Sequence, residues 1–80
     1  MKIKIKPNSY YKRYYDDHYT IWYTDNKHSY IMAYKYKNKP LEKLDNSLQR
    51  FTIDTWEWYI NTNKFKTEEI SKEDVFLELL

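Results

Sequence analysis

Every turn in this chain must be made without glycine, because none of its 80 residues is one. Left-handed backbone positions then fall on Asn or Asp, the side chains that tolerate them best after glycine. The same absence excludes a P-loop and a dinucleotide fingerprint, both of which need glycines where the backbone approaches phosphate. Cys is absent too, which removes a disulfide framework and a thiolate zinc site.

A chain of this length forms one domain, residues 1–80, whose core yields only a modest surplus over chain entropy. Most large apolar side chains are needed for packing, yet the chain carries ten Tyr and three Trp. Buried phenols want hydrogen-bond partners for their hydroxyls. The densest stretch, YYKRYYDDHYTIWYTD from Tyr10 to Asp25, therefore predicts an aromatic surface left partly exposed.

The pattern predicts a small α+β domain. An antiparallel sheet of three or four strands comes from the N-terminal half, and two or three helices from the C-terminal half cover one face. Lys2–Lys6 alternates Lys with Ile and reads as a half-buried edge strand, ended at Pro7-Asn8-Ser9. Tyr10–Tyr15, His18–Thr24 and Ser29–Lys37 read as strands, with a turn at Asp16-Asp17. A two-residue loop on Asn26-Lys27 makes a hairpin that pairs Tyr23 with Tyr30, Ile21 with Met32, Tyr19 with Tyr34, Trp22 with Ile31 and Thr20 with Ala33.

Pro40 and the spacing of Leu41, Leu44, Leu48 and Phe51 predict a helix. Ile53, Trp56 and Ile60 share a helical face over Thr52–Ile60, with Asp54 and Glu57 in a capping pattern. Ser71 with Asp74 forms a capping box, with Ile70 and Val75 as its staple, and opens a helix over Lys72–Leu80. Trp56, Trp58, Leu44, Leu48, Phe51, Phe76 and Leu79 are expected to supply the layer opposing the Trp22/Ile31/Ala33 face. Nothing near 18 consecutive apolar residues occurs, so no spanning helix is expected. The N-terminus lacks the apolar region of a signal peptide.

No constellation of catalytic residues emerges, and none for a metal or other cofactor. Asp16-Asp17-His18 is the one acid/His cluster, and the hairpin register puts His28 at its far end. An enzyme is not expected. Residues 1–40 carry nine Lys/Arg against three Asp, whereas residues 41–80 carry five against nine acids. That segregation predicts either pairing between the halves or an acidic partner for the basic half. Tyr19, Tyr23, Tyr34 and Tyr36 are the candidate anchors of a partner-binding face, with Arg13, Lys35 and Lys37 as its charged rim. The same mixture of Lys and Tyr is the recipe for stacking single-stranded DNA or RNA. Val75, Phe76, Leu77, Leu79 and Leu80 make the last helix apolar beyond one stripe, as expected either of deep docking or of self-association into a homodimer through Phe76, Leu77 and Leu80.

Phe, Tyr, Met, Ile, Asn and Lys make up 40 of the 80 residues, and Ala, Arg, Pro and Gly five. The first set is written in AT-rich codons. In this the whole chain resembles small accessory proteins of phages and mobile elements of low-GC bacteria, anti-CRISPRs and other anti-defence proteins included. The resemblance implies a non-enzymatic inhibitor or modulator in the cytoplasm of a bacterial host. Its partner would be a host protein or a protein–nucleic-acid complex bound by stoichiometric contact, with no membrane involved.

Overall fold

The computed structural model describes residues 2–44 and 50–80. Its centre is the expected meander. β1 (Tyr10–Tyr14), β2 (His18–Thr24) and β3 (His28–Tyr36) pair antiparallel in sequence order. At the hairpin, the Asp25 carboxylate accepts the backbone N–H groups of Lys27 and His28, both at 2.7 Å. An Asx-type turn thus does what glycine would otherwise do. Asn8 is the one described non-glycine residue with positive φ, at 55°, in keeping with the expectation for a glycine-free chain.

Tyr23 pairs with Tyr30 and Trp22 with Ile31, as the hairpin register requires. The register then shifts between Ile21 and Trp22, so that Ile21 faces Ala33, Thr20 faces Tyr34 and Tyr19 faces Lys35. Met32 is the additional residue. A bulge of this kind turns the side chains beyond it to the other face. Ala33 accordingly packs with Ile21 and Val75, not with Trp22.

Among the described residues the sheet has six strands, where three or four were expected. β4 (Glu42–Lys43) and β5 (Arg50–Thr52) both pair with the outer edge of β3, and β6 (Thr67–Ile70) pairs with β1 at the opposite edge. Among the described residues the helix expected after Pro40 is therefore not found: Leu41 and Leu44 are irregular, and Phe51 lies in a strand. Leu48 falls outside the described residues. The Lys2–Lys6 segment is irregular and joins no strand. Its polar groups are met by side chains instead: the Ile3 N–H donates to Asn61 Oδ1, the Ile5 N–H to Glu57 Oε2 and the Lys6 N–H to the Tyr11 hydroxyl.

α1 (Ile53–Thr62) is capped by Thr52, whose hydroxyl accepts from the Thr55 N–H, with Asp54 in the first turn. α2 (Lys72–Leu79) is capped by Ser71 as expected, its hydroxyl accepting from the Asp74 N–H. The helices take opposite faces of the sheet rather than one. Trp56 and Ile60 of α1 pack with Ile5, Tyr11, Trp22 and Ile31. Val75 and Leu79 of α2 pack with Ile21, Ala33 and Met32. The face expected to stay open is thus largely roofed by α2.

Candidate functional site

At the end of the sheet away from the hairpin, three segments converge. Tyr15 and His18 flank the Asp16-Asp17 turn, and β3 lays Tyr36 beside His18. The rings stack in a row: Tyr15 to His18 at 4.5 Å and 7°, and His18 to Tyr36 at 4.5 Å and 21°. Phe65 packs on Tyr15 at 4.9 Å, and Tyr34 meets Tyr36 edge-on at 5.8 Å. His18 Nδ1 lies 2.6 Å from the Asp17 carboxylate, and that hydrogen bond holds the Asp17 carboxyl below its ordinary range. Tyr14, Tyr19 and Lys35 lie side by side across β1, β2 and β3. With Tyr15, His18, Tyr36 and Lys37 they line a cleft of about 320 Å³.

Four of the seven expected contact residues, Tyr19, Lys35, Tyr36 and Lys37, meet in this cleft, and Tyr34 adjoins it through Tyr36. Tyr23 does not. It sits toward the hairpin end, between Tyr10 at 5.3 Å and Tyr30 at 6.3 Å. The Tyr19 hydroxyl donates to Glu78 at 2.6 Å, and the Lys12 ammonium lies 4.0 Å from the Tyr19 ring centre while bonding Glu78 at 2.7 Å. Burial, then the bond to Glu78, pushes the Tyr19 hydroxyl pKa up. Burial alone would raise the Glu78 carboxyl, but the bonds from Lys12 and Tyr19 outweigh it and bring it down.

Arg13 does not lie at the rim. Expected as rim charge, it is 0 % exposed. Its Nε donates to the Tyr15 hydroxyl, one terminal nitrogen to Thr67 Oγ1 and the other to Asn63 Oδ1. It also lies 5.3 Å from the Tyr59 ring centre. Asn63 is the C-cap of α1, which has no basic residue in its last turn. Arg13 supplies that missing cation from the neighbouring strand, where the helix dipole favours positive charge. Among the described residues, no carboxylate lies within ion-pairing distance of it.

Both helices carry large apolar side chains on their outer faces. Trp58 of α1 is 67 % exposed, and Phe76 and Leu77 of α2 are 54 % and 70 % exposed. Leu80, just past α2, projects into solvent as well. Trp58 and Phe76 were expected in the core. Trp58 follows Trp56 by two positions, which on a helix points it away from the buried stripe, so its exposure was available from the spacing. His18 and His28 lie at opposite ends of the hairpin, as the register required. Among the described residues, no three His, Asp or Glu side chains gather as a metal-holding group, and no helix is long and apolar enough to cross a membrane.

These elements define an α+β domain: an antiparallel sheet with one helix on each face. No family model, curated protein or solved structure matches the chain.

Proposed function

We propose that this chain is a small binding protein that modulates another macromolecule by stoichiometric protein–protein contact. The observation that carries this reading is the outward placement of Trp58, Phe76 and Leu77. A domain of this size has few apolar side chains to spare, and here some of the largest face solvent. An exposed Trp with a polar surround is the anatomy of an interface anchor. Trp58 has it, with Lys2, Asp54, Glu57 and Asn61 around it. The AT-rich residue usage supports placing the partner in the bacterial host of a phage or mobile element, with a defence nuclease as one example. Phe76, Leu77 and Leu80 also suit self-association.

The nucleic-acid reading rests on the Lys35/Lys37 cleft. The rings there stack largely on one another, and that stacking occupies faces that bases would need. The protein reading is therefore favoured. Trp58→Ala and Leu77→Asp are expected to melt within about 4 °C of wild type, since surface substitutions cost about 0.5 kcal/mol or less. Each is expected to lose a protein that the wild-type chain captures from nuclease-treated host lysate. Retained capture by both variants counts against these surfaces. Salt-sensitive binding of labelled single strands, lost in Lys35→Ala/Lys37→Ala, would favour the alternative.

A further inference from the structure

We infer that the cavity beside Arg13 is a binding site for a carboxylate carried on an apolar body. The cavity, of about 520 Å³, lies between the end of α1, the N-terminal segment at Ile3 and the start of β6. Ile3, Ile60 and Phe65 give it apolar walls, while Asn63, Lys64 and Thr67 supply polar atoms. None of its lining residues is acidic.

The guanidinium behind this wall sets the polarity of the site. Buried charges are ordinarily paired with an opposite charge. Arg13 is fully buried, and its three hydrogen bonds all go to neutral oxygens. Two of those acceptors, Asn63 Oδ1 and Thr67 Oγ1, belong to residues of the cavity wall. Because Arg13 occupies their oxygens as acceptors, the Asn63 Nδ2 hydrogens and the Thr67 hydroxyl hydrogen remain to donate elsewhere. The buried cation thereby turns an amide and a hydroxyl into donors, and Lys64 adds a charge at the same wall. The Lys66 ammonium leans the other way, toward Tyr14 and Glu68, and Asn61 is tied to the Ile3 backbone. Two neutral donors match the two oxygens of a carboxylate, and one anion completes the compensation that the C-terminal end of α1, with only about half a unit charge, gives Arg13 in part. A phosphate would bring more charge and more oxygens than this wall satisfies. The site is separate from the outward surfaces of α1 and α2 and stands whether or not those bind protein.

The test uses phenylacetate as probe and phenylacetamide as its neutral counterpart, followed by amide NMR shifts of the full chain. Phenylacetate is expected to shift the Asn63, Lys64 and Thr67 amides saturably, and phenylacetamide to do so at least about tenfold more weakly. Asn63→Asp keeps an acceptor for Arg13 and pairs its charge internally. It is expected to melt no lower than wild type yet to weaken phenylacetate binding about tenfold or more, because like charges then oppose. If that variant misfolds, Lys64→Gln takes its place, with weaker binding expected. Equal response to acid and amide, undiminished binding by a folded variant, or shifts spread over all surface lysines would overturn the assignment.

Discussion

Arg13 shows how one residue type supports opposite expectations. In the sequence it stands among Lys and Tyr on a strand, which reads as rim charge. In the fold it is the hub between β1, β6 and the end of α1. Strand alternation places it on the same face as Tyr11, the face roofed by α1, and the loop after α1 closes over it. Arg13→Ala is expected to cost about 3 kcal/mol or more, because it leaves the buried Thr67 hydroxyl without its donor, takes one of two donors from half-buried Asn63 Oδ1 and opens a cavity. For a domain whose total stability is about 5–15 kcal/mol, that is a large fraction. Urea denaturation checks it. A change below about 1 kcal/mol would mean that the guanidinium acts as a surface group. Tyrosine behaves in a mixed way. The hydroxyls of Tyr11, Tyr14, Tyr15, Tyr19 and Tyr30 all find partners within the chain, while Tyr36 and Tyr59 stay exposed. The surplus of phenols is absorbed by the fold more fully than their number suggested.

Among the elements, α2 is the one most dependent on its surroundings. Its eight residues are too few for a lone helix in water. Its cap at Ser71, its buried Val75 and its Glu78 bonds to Lys12 and Tyr19 hold it to the sheet. Ser71→Ala is expected to cost about 1 kcal/mol, and Val75→Ala about 2 kcal/mol through lost burial and a residual cavity. Denaturant midpoints should fall in that order, and no shift from either variant would mean that α2 is not docked. This helix was legible because a capping box is a local signal; α1 was legible from its apolar spacing, although Thr52 caps it and not the expected Asp54/Glu57 pair, and the β1–β3 meander from its β-forming residues. The segment from Leu41 to Phe51 was not legible. Its leucine spacing matches a helix, but the open outer edge of β3 offers ladder hydrogen bonds that no local pattern reveals. The Lys2–Lys6 alternation correctly turned Ile3 and Ile5 inward. It could not show that Asn61, Glu57 and Tyr11 would replace a neighbouring strand. Likewise, the bulge at Met32 and the placement of one helix on each face are decided by packing between elements. The cleft gathered Tyr19, Tyr36, Lys35 and Lys37 because strand register brings them together. Tyr23 was separated by distance along the strand, and Arg13 by a closing loop.

Across the whole molecule, part of the charge segregation along the chain is met within it. Lys4 pairs with Glu57, Lys6 with Glu69 and Lys12 with Glu78, each joining the basic half to the acidic one. Several carboxyls are held low as well, mostly by neutral donors. The N–H groups of His28 and Lys27, then the Tyr30 hydroxyl, bring the Asp25 carboxyl down to about 2. The Tyr14 hydroxyl lowers Glu68, and Glu78 is lowered as described. A carboxyl depressed in the folded state stabilises it fully above the unfolded value, about 4, and loses that effect as pH falls through the folded value. The hydroxyls act with the opposite sign. The bond to Glu68 raises Tyr14 to about 12, and Tyr19 and Tyr30 are also raised. Their contribution is present below the unfolded value, about 10, and fades as pH rises past it. The melting temperature is therefore expected to stay level between about pH 5 and pH 9.5 and to fall on both sides. Glu78→Gln removes one depressed carboxyl together with the charged acceptor of Tyr19 and Lys12. Its penalty should be present on the plateau and shrink at both extremes, as calorimetry across pH would show. A penalty that stays constant with pH would mean that α2 is not held to the sheet through this charge.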